Sequence, residues 1–190
     1  MTRIDEYKEI LRGRLKEKRY YHSLCVANEA VRLANLYGAN EEKAYIAGLL
    51  HDICKNDEKQ DLLESLAKYG IILSDVEKSL HKLWHAKAGA EYIKNVLGIV
   101  DSEIVNAVRY HTTARSGMGL LEKVLYLADF TSADRDYKGV EKMREMVDVS
   151  MEAAMEEALR FTINDLLEQR QVIHPDAISA YNEIVLNKTR

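Results

Sequence analysis

The chain has 190 residues, of which 47% are hydrophobic and 31% charged, and its formal net charge is −4 at pH 7. This composition is sufficient for one domain with a buried core, and it argues against a protein that holds long nucleic acids by charge. There is no apolar run near ~18 residues, so we expect no membrane span, and residues 1–19 lack the apolar stretch of a secretory signal, so we expect a cytoplasmic protein.

The spacing of apolar residues, together with a single proline, predicts an all-α fold. The predicted helices, in chain order, span 5–18, 20–37, a segment from 41, 58–69, 85–97, 102–111, 119–130, 148–169 and 175–187. Gly38, Gly70 and Gly98 stand where a left-handed residue commonly ends a helix. Asn40 and Ser102 are predicted caps, and Pro175 suits a first helical turn. The short apolar run 71–73 is more typical of a loop packed on the core than of a strand.

The adjacent pair His51-Asp52 follows the apolar segment 47–50, in which Gly48 allows close helix packing. A carboxylate after such a segment is costly to bury unless it is paired or bound to a cation. Imidazole and carboxylate suit Fe, Mn, Zn and Co, and the absence of cysteine ligands disfavours a structural zinc site. A bound metal ion would therefore explain both residues together.

Asp129 repeats this arrangement, because it follows the apolar segment 124–128. His22 lies early in the second predicted helix, and His111 ends a later one. Any one histidine taken alone is more often a surface residue or a satisfied core residue than a ligand. A helical bundle can nevertheless direct several such side chains into one cavity.

Taken together, these residues resemble the HD-domain superfamily of metal-dependent phosphohydrolases, and more closely its YqeK family. The segments that carry the resemblance are 19–23, 49–55, 83–90, 110–113, 126–129, 135, 173–175 and 180–182. The resemblance implies a compact multi-helix bundle with the metal site at its centre. It also implies one HD domain over 1–190, with a core at about 19–135 and C-terminal helices at about 140–189 packed on it.

By position, the resemblance implies two transition-metal ions, usually iron, with Mn, Co and Zn also suited to the ligand types. The implied metal ligands are His22, His51, Asp52, His85, His111 and Asp129. His81 lies four residues before His85, but the helix is expected to begin near His85, so we interpret His81 as a surface residue. The implied activity is symmetrical hydrolysis of diadenosine tetraphosphate to two ADP by a hydroxide that two metals activate.

His51, Asp52 and Lys55 are the expected catalytic residues, and Lys55 lies one helical turn after Asp52. The expected substrate contacts are Arg19, His22, Asp52, Lys55, Trp84, Thr113, Arg135 and His174. The alternatives are a solvated surface charge for each basic residue, core filling for Trp84, a turn cap for Thr113 and a helix start for His174. The expected partner is a dinucleotide or nucleotide, and apolar helix faces beyond the need of one small bundle would allow a homodimer.

The chain departs from the YqeK pattern at 130–134, where the family commonly has an acidic residue and then Pro-Gly, and at Ala114, where it has glycine. These departures affect the residues that surround the ligands, or the nucleotide pocket, rather than the ligands themselves. Three alternatives therefore stay open: another HD phosphohydrolase, such as a nucleotidase or a cyclic-nucleotide phosphodiesterase; a non-catalytic nucleotide sensor; and a purely structural helical protein.

Overall fold

The computed structural model of the chain describes residues 2–188. Over that range the chain forms eleven α-helices and one short 3₁₀ helix and has no strand, which confirms the all-α fold. The helices are α1 (Arg3–Arg14), α2 (Glu17–Tyr37), α3 (Glu41–Leu50), α4 (Lys59–Lys68), α5 (Asp75–Ser79), α6 (Trp84–Asn95), α7 (Ser102–Tyr110), α8 (Leu120–Thr131), α9 (Val140–Val149), α10 (Met151–Glu168) and α11 (Pro175–Lys188), with the 3₁₀ turn at His81–Leu83.

Several helical boundaries differ from the sequence prediction, and the first helix ends at Arg14 rather than at residue 18. The predicted helix 148–169 is wrong at its start, because Ser150 is extended and its side chain caps α10 by accepting from the amide of Ala153 at 3.2 Å. The separate helices α5 and α9 were not predicted, because α5 has only five residues and the apolar pattern at the end of α9 continues into α10. Asp101, not Ser102, caps α7, and its carboxylate accepts from the amide of Glu103 at 2.9 Å.

The centre of the fold is the packing of α3 against α2, with α7 and α8 beside them. A Cβ atom on Gly48 would lie 2.7 Å from the Cα of Ala27, so only glycine permits this approach. Ala27, Ala44 and Ala47 are fully buried along the same contact. The prediction that Gly48 allows close helix packing is therefore confirmed, and the contact holds the C-terminal end of α3 in the core.

The C-terminal helices pack outside this centre, where α10 contacts α8, α9 and α11. In the segment 71–73, Leu73 is buried whereas Ile72 is 90% exposed, so only part of that loop packs on the core. None of the helices within 2–188 is both long enough and apolar enough to cross a membrane.

Candidate metal centre

Five helices bring the predicted ligands to one place in the core. His22 lies within α2, His51 and His111 follow the last residues of α3 and α7, His85 is in the first turn of α6, and Asp129 is in α8. Asp52 follows His51 directly. The His51 ring lies 5.3 Å from the His22 ring and 5.0 Å from the His111 ring, and His85 is 5.2 Å from His111. The four rings therefore form a continuous row.

Three of these histidines are oriented by their own backbone. His51, His85 and His111 each donate from Nδ1 to the carbonyl of the residue three positions earlier, in each case at 2.7 Å. A carbonyl oxygen can only accept, so Nδ1 carries the hydrogen and Nε2 presents its lone pair. This is the ring state that a metal ion requires of a histidine ligand.

His22 is oriented differently, by a side chain. Its Nδ1 lies 2.8 Å from a carboxylate oxygen of Asp134, which can accept the hydrogen that Nδ1 carries when Nε2 binds a metal. Its Nε2 lies 3.0 Å from a carboxylate oxygen of Asp129. All four rings thus direct Nε2 toward the same small space, and for His22 this nitrogen is an acceptor when the hydrogen is on Nδ1.

The atoms that meet in this space are nearly all acceptors. His85 Nε2 lies 3.2 Å from His111 Nε2 and 3.0 Å from Asp52 Oδ1. Buried atoms without a hydrogen-bond partner include Nε2 of His22, Nε2 of His51 and Oδ1 of Asp52. Buried acceptors that face one another repel unless something positive lies between them. The donor set therefore fits transition-metal cations.

Two overlapping groups have the spacing to hold an ion. In each group, one ligand atom per residue lies within 4.8 Å of the others. The first group is His22, His51 and Asp129, and the second is His51, Asp52 and His111.

The carboxylates of the centre are ionised. Burial raises the pKa of Asp52, but His51, His111 and His85 lower it more, so the pKa lies well below its usual value. The pKa of Asp129 is likewise lowered, because His22, His51 and Arg135 together outweigh its burial. Burial lowers the pKa of His85 to about 4, so this ring is neutral near pH 7.

Three basic side chains line the edge of the centre. Arg19 donates to Asp52 Oδ2 at 2.8 Å. Lys55 Nζ lies 3.1 Å from His85 Nε2, and burial lowers its pKa. Arg135 pairs with the carboxylate of Asp129 and donates to the carbonyl of Asp129 at 2.6 Å. Arg19 and Arg135 line a cavity of about 380 Å³, and Lys55 lines a second of about 370 Å³.

The remaining expected substrate contacts line a separate narrow crevice that contains Trp84, Thr113 and His174. Trp84 is 3% exposed and donates from its indole nitrogen to the carbonyl of Glu77 at 2.6 Å, which favours its alternative interpretation as a core residue. His174 Nε2 lies 3.3 Å from the carboxylate of Glu77. His81 is exposed, as predicted, whereas the expected ligand His85 is buried beside Asp52 and His111, although it too lies outside the two groups.

Sequence reasoning missed Asp134 and Arg144, which support the centre from outside. Asp134 contacts His22, and Arg144 donates to the carbonyls of Thr131, Ser132 and Arg135. The one signal in the sequence was an aspartate in a segment that departs from the expected pattern. No periodicity marks a loop residue that acts on a helix far away in sequence.

The chain is similar to known proteins over nearly its whole length. The family model described as HD domain matches residues 19–134. A symmetrical bis(5'-nucleosyl)-tetraphosphatase of Halalkalibacterium halodurans is 36% identical over 180 residues, which cover 95% of this chain and 96% of that protein. The protein of the same name in Bacillus subtilis is 33% identical over 181 residues, or 95% of this chain and 97% of its own.

A solved structure is also similar over nearly the whole fold. The crystal structure of a predicted HD superfamily hydrolase involved in NAD metabolism from Clostridium acetobutylicum superposes with a TM-score of 0.95 at 36% identity. The match covers 98% of this chain and 99% of that one.

Proposed function

Because this chain belongs to the HD domain family, we infer that it is a hydrolase that cleaves bis(5'-nucleosyl) tetraphosphates symmetrically, so that diadenosine tetraphosphate yields two ADP. The observation that carries this inference is the buried centre in which imidazole and carboxylate acceptors face one another, and in which Nε2 of His22, Nε2 of His51 and Oδ1 of Asp52 lack a hydrogen-bond partner. Such a centre suits a cation-dependent attack on a phosphate.

We propose that two transition-metal ions occupy the centre, with iron as the expected metal and Mn, Co or Zn as alternatives. The proposed ligands are His22, His51, Asp52, His85, His111 and Asp129. Asp52 would offer both of its oxygens to the ions, because they are directed to different neighbours: Oδ1 lies 3.0 Å from His85 and Oδ2 lies 3.4 Å from His51. When bound, the two ions would supply an activated water as nucleophile and positive charge for the phosphoryl oxygens.

The charges of the protein itself balance before any cation is added. Three carboxylates and three basic groups line the centre: Asp52, Asp129, Asp134, Arg19, Lys55 and Arg135. The histidines add no charge while they are neutral ligands. Every bound cation therefore makes the site net positive, which favours a polyanionic tetraphosphate.

Arg19, Lys55 and Arg135 are the proposed phosphate contacts. Each presents nitrogen donors at the edge of the centre, where a phosphate oxygen can replace part of its present contact with a carboxylate or with His85. The leaving ADP is a phosphate with a pKa of about 6, so it departs as an anion without a proton donor. Lys55 therefore acts catalytically by stabilising the charge that develops on phosphate oxygen.

Thr113 and His174 are the proposed contacts to the nucleoside part. They line the same crevice, in which Trp84 forms a buried wall. His174 accepts at Nδ1 from the amide of Asp176 at 3.2 Å, so its Nε2 carries the hydrogen and donates toward Glu77. His174 is thus held in one orientation at the start of α11.

Product analysis tests the activity. The protein, purified without oxygen and assayed for metal content, is incubated with diadenosine tetraphosphate, and we expect ADP as the sole product. Equal amounts of AMP and ATP would contradict symmetrical cleavage. No turnover by metal-loaded protein would favour the sensor or another phosphohydrolase.

A matched pair of variants separates the centre from general charge effects. Asp52→Asn should lose metal and turnover, because the substituted amide is neutral and its oxygen is a weaker ligand. Asp148→Asn removes an aspartate that is exposed on α9 and pairs with Arg32, and it should retain both properties. Equal loss in the two variants would contradict the assignment of Asp52.

The number of ions can be tested by removing one ligand from each group. His22→Ala and His111→Ala should each reduce the bound metal from two equivalents to about one. A single equivalent in the native protein would contradict the two-ion proposal. The homodimer, the cytoplasmic location and the single-domain boundaries 1–190 stay predictions, which light scattering, cell fractionation and limited proteolysis would test respectively.

A further inference from the structure

His22 differs from the other three histidines in its position within its helix. His51 and His111 directly follow the ends of α3 and α7, where carbonyls of the last turn have no partner within the helix and can accept from the ring. His85 uses the carbonyl of Lys82, which lies in the 3₁₀ turn just before α6. His22 lies inside α2, where the backbone carbonyl three residues earlier belongs to the hydrogen-bond ladder of the helix.

A histidine in a helix interior therefore needs an orienting acceptor from elsewhere in the fold. Asp134 supplies it, 112 positions away in sequence, with Oδ2 at 2.8 Å from Nδ1 of His22. The other oxygen of Asp134 accepts from the hydroxyl of Ser132 at 2.8 Å. Both carboxylate oxygens are thus engaged, and the rotation of the Asp134 side chain is restricted.

The loop that carries Asp134 is itself anchored. The guanidinium of Arg144 on α9 donates to the carbonyl of Thr131 at 3.0 Å, of Ser132 at 2.8 Å and of Arg135 at 3.0 Å. Ser132 is fully buried. One side chain from α9 therefore holds the turn between α8 and Arg135 in the shape that directs Asp134 at His22.

We propose that Asp134, held by Ser132, is a positioning residue for the metal centre: it fixes the ring of His22 with hydrogen on Nδ1, so that Nε2 is available as a ligand. This inference depends on the proposed metal site but not on the proposed substrate. A carboxylate that accepts from the outer nitrogen of a ligand histidine fixes its orientation and raises its basicity. The segment 130–134, which departs from the YqeK pattern, would then support metal binding in this chain rather than weaken it.

The first test measures metal binding without any substrate. Metal-free protein is titrated with Co²⁺, and binding is followed by the visible absorption of the bound ion. Loss of a supporting group of this kind typically costs about 10–100-fold in metal affinity, so we expect a fall of that size in Asp134→Ala. Asp134→Asn keeps an acceptor oxygen without the charge and should lose less. Asp134→Ala that binds Co²⁺ with native affinity and spectrum would overturn the proposal.

The second test observes the ring directly. Nitrogen-15 NMR of metal-free protein should show hydrogen on Nδ1 of His22 in the native chain and in Asp134→Asn, and a shift toward hydrogen on Nε2 in Asp134→Ala. An unchanged ring state in Asp134→Ala would also overturn the proposal. A purely structural role for Asp134 would lower stability but would not change this signal.

Two further variants keep the tests decisive if Asp134→Ala fails to fold. Ser132→Ala removes only the hydroxyl that holds Asp134 and should lower Co²⁺ affinity by a smaller factor, about 3–10-fold, within the range of one hydrogen bond. Asp148→Asn is the matched control and should bind Co²⁺ as the native protein does. If Ser132→Ala binds Co²⁺ at the same affinity as Asp148→Asn and the native protein, the proposal is contradicted. Native protein that binds Co²⁺ but does not hydrolyse the dinucleotide would contradict the proposed function alone.

Discussion

Replacing Gly48 by alanine should separate α2 from α3 and destabilise the protein. The added Cβ would lie 2.7 Å from the Cα of Ala27, 2.9 Å from its nitrogen and 3.0 Å from the carbonyl oxygen of Val26. These are backbone atoms, so no side-chain rotation can relieve the contact. The helices must therefore move apart by roughly 1 Å to restore ordinary contact distances.

The expected size of the effect follows from two opposing contributions. Overpacking a core costs about 1–3 kcal/mol, and contact with rigid backbone places this site at the upper end. Alanine gains about 1 kcal/mol over glycine in a helix interior. We expect a net loss of about 2 kcal/mol, which for a chain of this size lowers the Tm by roughly 4–8 °C. Because the carbonyl of Gly48 accepts from His51, Co²⁺ affinity should fall as well.

Urea and thermal unfolding of the metal-free Gly48→Ala protein, followed by circular dichroism, would measure the loss of stability. Gly13→Ala in α1 is the matched control, because nothing lies within 4 Å of its added Cβ. It should stabilise the protein by about 0.5–1 kcal/mol. Gly89→Ala, whose Cβ would lie 3.5 Å from a methyl group of Ile53, should be close to neutral. Gly48→Ala that is as stable as Gly13→Ala would refute the packing argument.

Three other predictions concern side chains outside the metal centre. Trp84→Phe should lower the free energy of unfolding by about 1–2 kcal/mol, because the bond to the carbonyl of Glu77 is lost, while the KM for substrate stays the same. Burial raises the pKa of Glu77, but the contacts with Lys87 and the amide of Ser74 outweigh it and lower the pKa from 4.5 to about 2. The contribution of Glu77 to stability is therefore present above pH 4.5 and is lost as the pH falls toward 2. Glu77→Gln should flatten that part of a plot of unfolding free energy against pH. Arg115→Ala should cost about 2–3 kcal/mol in urea unfolding, because it leaves the buried carboxylate of Glu122 without a charged partner.

Each of these has an outcome that would contradict it. A several-fold rise in KM for Trp84→Phe would instead support the interpretation that Trp84 stacks on a nucleobase. Native and Glu77→Gln proteins with parallel pH profiles would show that the carboxylate has no altered pKa. Arg160→Ala removes an exposed arginine that pairs with Glu157 and should change stability little. A loss as large as that of Arg115→Ala would point to a general effect of charge.

Much of the fold could be predicted because helix formation is local. Apolar periodicity placed nine helices, and left-handed glycines such as Gly38 and Gly98 ended them as expected. The break at Ser150 could not be predicted, because the apolar pattern continues through 148–169 and only the extended serine separates α9 from α10. The cap of α7 was misplaced by one residue, since Asp101 and Ser102 are both good capping residues.

The chemistry of the centre could also be predicted in part from the chain. His51-Asp52 and Asp129 follow apolar segments, and a carboxylate in that setting requires a positive partner whatever the fold. These residues therefore indicate a cation site by their type and local sequence alone. Ring orientation could not be predicted, because it depends on whether a carbonyl near each histidine is free.

Residue types and local pattern thus determined that the protein is helical and that its buried histidines and aspartates suit a metal ion. Only the tertiary structure decided that Gly48 seats α3 against α2 and that acceptor atoms face one another across the centre. It alone brought Asp134 to His22, because contact between residues 112 positions apart depends on how helices pack and leaves no periodic trace in the sequence.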